Sequence, residues 1–249
     1  MVSLQIEHRA RGTLRTPAAA WFLPEGRLFR KELATLKEAF PDCAHAFTSS
    51  PFRGKFQEVL KLFPRGGKIK CLLAVGIGDP SKLDAERLRR ASTTAVRAAQ
   101  EQKSPSLVLL EPSDAIIAAS PEARPDRTAL ALLEGAVLAA YRYDRYRTRE
   151  KKKVTPLVRF TFVTDRRSRV REIRPVVSQV RAVCGGTWLA RDLENAPGNE
   201  IYPETLARRA RAAGQRAGFG VRVLEIRALR RIGMGGLLAV SGVPGSQGL

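Results

Sequence analysis

A continuous apolar run lies within "KIKCLLAVGIG" (68–78), which has no polar side chain from Cys71 to Ile77 and closes on glycines. A half-exposed strand would alternate apolar and polar positions. A short continuous run predicts a strand buried on both faces. "PSLVLLEP" (105–112) and "PLVRFTFVTD" (156–165) read as further strands. The start, "MVSLQIEHRARG", alternates and reads as a first strand; it has no apolar core of a signal peptide. Between these runs the period lengthens to that of a helix. In "LFRKELATLKEAF", Leu33, Leu36 and Phe40 share a side. In "DPSKLDAERLRRASTTAVRAAQ", Leu88, Ala91, Ala95 and Ala99 do so, with Asp79 and Ser81 as candidate caps. In "DRTALALLEGAVLAAYRYDRYR" (126–147) the stripe is Leu130, Leu133, Val137 and Tyr141. Strand alternating with helix predicts an α/β fold on a mixed, mainly parallel sheet.

From Ser168 to Glu194 the pattern is helical, with Val176, Val177, Val180, Val183 and Leu193 apolar and a kink expected at Gly185-Gly186. Residues 195–199, "NAPGN", break it, because Pro197 disfavours helix at Ala196 and Gly198 suits a turn. Pro203 fits the first position of a new helix, with Tyr202 as its N-cap. "VRVLEI" reads as a strand, "RALRRIG" as a short helix stopped at Gly233, and "MGGLLAVSGV" as the start of another strand. The expected organisation is an N-terminal domain over 1–167, a helical linker over 168–195, and the incomplete start of a second α/β domain over 196–249. An unpaired apolar strand in that last part would expose an edge that invites association.

Composition narrows the setting. The 249 residues are 44% hydrophobic and 27% charged, ordinary for a globular chain, and no stretch approaches the roughly 20 apolar residues that span a bilayer. No membrane partner is expected. Cys43, Cys71 and Cys184 form no CxxC pair, which argues against a disulfide framework and fits a cytoplasmic protein. With His8 and His45 alone, a histidine-rich metal site is disfavoured. The net charge of +20 attracts polyanions at long range, although a compositional bias toward Arg is the blander reading of so basic a chain.

At the junction the residues resemble a known family. "LARDLENAPGNEIYPETLA" followed by "VRVLEIRALRRIGMGGLLAVSGV" is similar to the opening of the catalytic domain of leucyl (cytosol) aminopeptidases. "CLLAVGIGDP" and "EGAVLAAYRYDRYRTREKKK" resemble that family's N-terminal domain. The resemblance implies a macro-like α/β domain, a helical linker, and then the truncated start of the catalytic domain. It also implies a hydrolase, a metallopeptidase releasing N-terminal residues from peptides with two divalent metals, typically zinc, manganese or magnesium, and usually assembled as hexamers. The family's metal ligands and catalytic groups lie in KGxxxDSGG and NTDAEGRL motifs. Neither occurs here, and no Asp or Glu follows Glu225. No catalytic or metal residue is carried over, and the chain is expected to be inactive alone.

Three other constellations carry chemistry. "GIGDPS" (76–81) sits between a strand and a helix, where phosphates bind, but it lacks the third glycine of a dinucleotide fingerprint and any P-loop Lys-Ser/Thr. "RYDRYRTREKKK" gathers Arg142, Arg145, Arg147, Arg149, Lys151, Lys152 and Lys153 around two tyrosines, a pattern that can grip nucleic-acid phosphates and stack bases. Some members of the family also bind DNA. Set against this is a solvated helix end, and "RRSRVREIR" (166–174) poses the same choice. Asp192, Glu194, Glu200 and Glu204 surround the junction without histidine, which reads as helix-start electrostatics and a solvated face rather than a metal site.

Overall fold

The structure is a computed structural model that describes residues 2–66, 68–120, 124–146 and 155–241. The chain divides into two compact units, Met1–Arg191 and Asp192–Leu249.

The first unit is built on six strands: β1 (Ser3–His8), β2 (Thr16–Pro24), β3 (Val59–Leu62), β4 (Ile69–Gly78), β5 (Ser106–Leu110) and β6 (Arg159–Thr164). Their order in the sheet is β1-β6-β5-β2-β4-β3. All neighbours are parallel except β3, which runs antiparallel to β4 at one edge. The mixed, mainly parallel sheet follows from the buried runs of β4, β5 and β6. Strand β2 is less legible, since "TPAAAWFLP" does not alternate and has Thr16 as its one β-branched residue, yet it pairs with β4 along almost its whole length.

Helices cover both faces. On one lie α3 (Ala85–Glu101), α5 (Pro125–Ala139), α6 (Arg167–Ile173) and the start of α7 (Val176–Asn195). On the other lie α1 (Arg27–Ala39) and α2 (Ala44–Thr48). Helix α4 (Asp114–Ala119) follows β5 and contributes Ile116 to the first core. Small residues let α3 and α5 approach closely. The Ser92 hydroxyl donates to the Leu132 carbonyl at 2.6 Å. A Cβ on Gly135 would stand 2.3 Å from the Arg89 carbonyl oxygen.

Capping sets several boundaries away from their expected places. Helix α3 starts at Ala85 because the Asp84 carboxylate accepts from the Arg87 amide at 2.7 Å. Asp79 caps only the short turn before it, accepting from the Ser81 amide. Helix α5 stops at Ala139, so Tyr141–Tyr146 lie outside it. Helix α7 runs unbroken through both glycines, and the interruption falls at Pro175, which has no amide to donate.

The second unit holds the end of α7 and α8 (Pro203–Ala217), α9 (Ile226–Arg231) and α10 (Gly235–Ser241). Pro203 opens α8, and the Thr205 hydroxyl accepts from the Tyr202 amide at 2.9 Å, strengthening the poor N-cap that tyrosine offers. Gly218, at φ 78°, ends it. Both strands expected here are corrected. Residues 221–225 of "VRVLEI" have no strand pairing, and "GGLLAVS" is the helix α10. A strand needs a neighbour for its amides and carbonyls, whereas a helix satisfies its own. Among its described residues this unit offers no second strand.

Its packing is thin. Thr205 and Gly214 are its only buried residues among those described, while Phe219, Ile226, Ile232 and Leu237 are each more than half exposed. The first unit, in contrast, buries Trp21, Phe22, Phe160 and Phe162 completely. Limited proteolysis of the 249-residue chain is therefore expected to cut first beyond Asn195 and to leave a resistant core ending near Arg191. Equal resistance of the two parts would contradict this difference in packing.

Candidate functional site

Parallel strands deliver their carboxyl ends to one edge of the sheet, and polar residues gather there in the first unit. Glu111 follows β5, Thr164 and Asp165 end and follow β6, and His8 ends β1. Glu111 is 7% exposed. Its backbone carbonyl accepts from Arg11 Nη2 at 3.2 Å, and Arg169 Nε of α6 lies 3.5 Å from Oε1. That oxygen accepts no hydrogen bond. Arg169 continues to Asp114 at 2.9 Å and to Glu172 at 3.2 Å. Arg166 also pairs with Asp114, and the Ser113 hydroxyl donates to the buried Glu32 of α1. Burial pushes the Glu111 carboxyl above its ordinary value. The Thr164 hydrogen bond and Arg169 pull it down less strongly, and Asp165 and Asp114 push it further up.

This edge assigns the second basic run, 166–174, a structural use, since Arg166 and Arg169 are tied into ion pairs with the first unit's acids. Composition alone could not reveal this, because the partners lie about 55 residues upstream in sequence. The buried Glu111 carried one signal, an acid placed directly after an apolar run.

The expected nucleic-acid residues lie elsewhere. Arg142 is half-buried and makes a two-point pair with Asp144, at 2.8 and 3.2 Å. Arg145 is exposed and stacks over the Tyr146 ring at 5.8 Å. Tyr146 in turn lies 6.1 Å from the ring of Tyr143, whose buried hydroxyl has no hydrogen-bond partner. Arg147, Arg149, Lys151, Lys152 and Lys153 fall outside the described residues. Beside this segment Tyr141 packs on Trp188 of α7 at 5.7 Å, with the Arg191 guanidinium over the Tyr141 ring at 5.4 Å. The junction acids do not converge: Asp192 and Glu194 are exposed on α7, and Glu204 is exposed in the first turn of α8.

The order of these parts matches two family models. "Cytosol aminopeptidase family, N-terminal domain" matches residues 29–150, and "Cytosol aminopeptidase family, catalytic domain" matches 188–247. The chain belongs to the cytosol aminopeptidase family. A probable cytosol aminopeptidase of Syntrophotalea carbinolica is 33% identical over 198 residues, covering 78% of this chain and 38% of that protein. The bottromycin maturation enzyme BotP is similar in structure at TM-score 0.65 and 27% identity, over 90% of this chain and 43% of BotP. BotP has also been solved in complex with Mn. A mutant of tomato leucine aminopeptidase shares the fold at TM-score 0.78 and 20% identity, over 99% of this chain and 49% of that one. The chain thus spans roughly two fifths of the length of its curated relative.

Cytosol aminopeptidases are metal-dependent, and the residues present here do not fit a two-metal centre. Two hard cations need several converging carboxylates. Among the described residues no three His, Cys, Asp or Glu side chains gather in that way. The three cysteines are free and buried, and burial raises each thiol, Cys184 to about 11, so none offers a ready thiolate. Among the described residues no helix is long and apolar enough to cross a membrane.

The raised Glu111 carboxyl has a consequence for stability. A carboxyl whose folded value exceeds its unfolded value of about 4.5 holds its proton more tightly in the native state. Its contribution is complete below that unfolded value and is lost as pH rises through the folded one. Glu111→Gln removes the titration and keeps an acceptor for Thr164. Thermal melts from pH 4.5 to 7 are expected to show the variant gaining on the wild type toward neutrality, by roughly 2 °C or more. Parallel curves would show that Glu111 does not titrate in this window.

Proposed function

We propose that this chain is the N-terminal portion of a leucyl aminopeptidase-type metallo-exopeptidase. In this reading the whole protein removes N-terminal amino acids from peptides, uses two divalent metals such as zinc, manganese or magnesium, and assembles as a hexamer. Residues 1–167 form the macro-like domain, 168–195 link it onward, and 196–249 begin the catalytic domain. The observation that carries the reading is the succession of the two family matches, N-terminal domain and then catalytic domain, across one chain on a mainly parallel α/β fold.

The role of these residues is scaffolding. The first unit supplies a rigid, doubly covered sheet, and the second supplies helices whose apolar groups are left for further chain to cover. Among the described residues no carboxylates converge to hold a hydrolytic metal. The pure chain is expected to release no chromophore from leucine p-nitroanilide in the presence of added manganese. Turnover that follows the chain through purification and disappears with a chelator would overturn this assignment.

A second reading, a nucleic-acid contact, draws on Arg145 stacked on Tyr146, whose ring is 52% exposed, at the start of the Arg- and Lys-rich segment. Base stacking on an exposed aromatic beside cations is how sequence-tolerant binding is built. The triple variant Lys151→Ala, Lys152→Ala, Lys153→Ala is then expected to weaken duplex DNA binding several-fold and to flatten its salt dependence in a fluorescence-anisotropy titration. Unchanged affinity and salt slope would remove the case for DNA.

A further inference from the structure

Beyond the carboxyl ends of β2 and β4 lies an open cleft of about 640 Å³. In an open α/β sheet this is the edge where ligands bind. One wall is the loop preceding β3, which lies directly on the ends of β2 and β4. A Cβ on Gly76 would stand 1.9 Å from the Lys55 carbonyl oxygen, and one on Gly54 would stand 2.2 Å from that of Pro24. The Gly78 amide donates to the Gly54 carbonyl at 2.9 Å, and the Lys55 amide donates to the Glu58 carboxylate at 2.9 Å. Lys55 is therefore presented from a fixed backbone rather than from a free loop. The lining also includes the turn Glu25–Arg27 that opens α1, which adjoins this loop at Gly54, and the Asp79–Ser81 turn.

The charges on this lining are of both signs. Glu25, Arg27 and Lys55 make no ion pair with any described residue. Asp79 is held in place by the amide and hydroxyl of Ser81. Arg53 already donates to the carbonyls of Ser50 and Phe52. Leu28 and Pro80 add aliphatic surface between the charges. A phosphate would meet two carboxylates here, and a simple cation would meet Arg27 and Lys55. A ligand with both charges and a short aliphatic body satisfies every group.

We propose that this cleft binds a zwitterionic α-amino acid with an aliphatic side chain, its carboxylate held by Arg27 and Lys55 and its ammonium by Glu25 and Asp79. The assignment does not depend on whether the chain hydrolyses peptides, because its readout is binding alone. The experiment is isothermal titration calorimetry on the 249-residue chain with four probes: L-leucine, N-acetyl-L-leucine, isoamylamine and inorganic phosphate. Leucine is expected to bind with a Kd of roughly 1 mM or tighter. The acetylated acid and the amine each lack one charge and are expected to bind about tenfold more weakly or worse. Glu25→Gln and Lys55→Gln alter solvent-facing groups and should keep the wild-type far-UV circular dichroism. Each is expected to weaken leucine binding about tenfold. Four results overturn the proposal: no heat from leucine, equal binding of N-acetyl-leucine or isoamylamine, tighter binding of phosphate, or leucine affinity unchanged in both folded variants.

Discussion

Strands β2 and β4 bury their central runs on both faces. Residues 18–23 and 71–77 are no more than 2% exposed wherever the chain places an apolar side chain. A parallel pair of this kind cannot leave either face to water, so helices must close over both. The remaining architecture follows from that demand. Small residues in β2, Ala18, Ala19 and Ala20, let one face take α3 and the other take α1 without steric conflict. On the α3 side, Ala91, Ala95 and Gly135 bring two helix backbones close enough for Ser92 to bond directly to α5. A larger residue at Gly135 would force these helices apart and open the sheet beneath them.

The same arrangement decides where chemistry can reside. With both faces covered, the carboxyl ends of the strands are the accessible edge, and two distinct polar environments arise there. At β5 and β6 the acids are matched by Arg11, Arg166 and Arg169, giving a closed network in which Glu111 is the one poorly satisfied group. At β2 and β4 the charged groups line an open cleft, and Glu25, Arg27 and Lys55 make no ion pair with a described residue. Matched charges fasten α6 to the sheet and leave nothing for a ligand. Charges of both signs without such pairs, fixed by a glycine-dependent backbone contact, leave groups ready for one.

How much of this is legible in the sequence depends on how local its cause is. Strands β4, β5 and β6 announce themselves through continuous apolar runs, and α1, α3 and α5 through their stripes. Strand β2 hides behind Pro17 and three alanines, because its stability comes from neighbours rather than from its own propensity. Strand β3 is four residues with a lysine in the middle, and only its pairing with β4 reveals it. The ion pairs of Arg166 and Arg169 join residues 52–58 positions apart, and no spacing rule reaches that far. The cleft at "GIGDPS" was half visible: the glycines mark a close approach, but the approaching loop, and Lys55 with it, is a property of the fold.

The second unit shows the opposite case, an apolar pattern whose partner is not within reach. "MGGLLAVSGV" has the composition of a buried strand, and in the described residues it coils into α10. The reason is hydrogen bonding rather than hydrophobicity. A strand without a neighbour leaves all its amides and carbonyls without a backbone partner, whereas a helix pairs those of its interior locally. Burial is what this choice gives up, since Leu237 and Ile232 remain more than half exposed. An apolar surface of that kind is unusual for a part expected to stand alone. It is consistent with a segment that matches the opening of a catalytic domain in proteins more than twice this chain's length. In such a setting neighbouring strands would become available, and the balance would move from local hydrogen bonds toward burial. A reading from pattern alone weighs burial, whereas the structure also reflects backbone hydrogen bonding, and the two therefore arrive at different elements for the same residues.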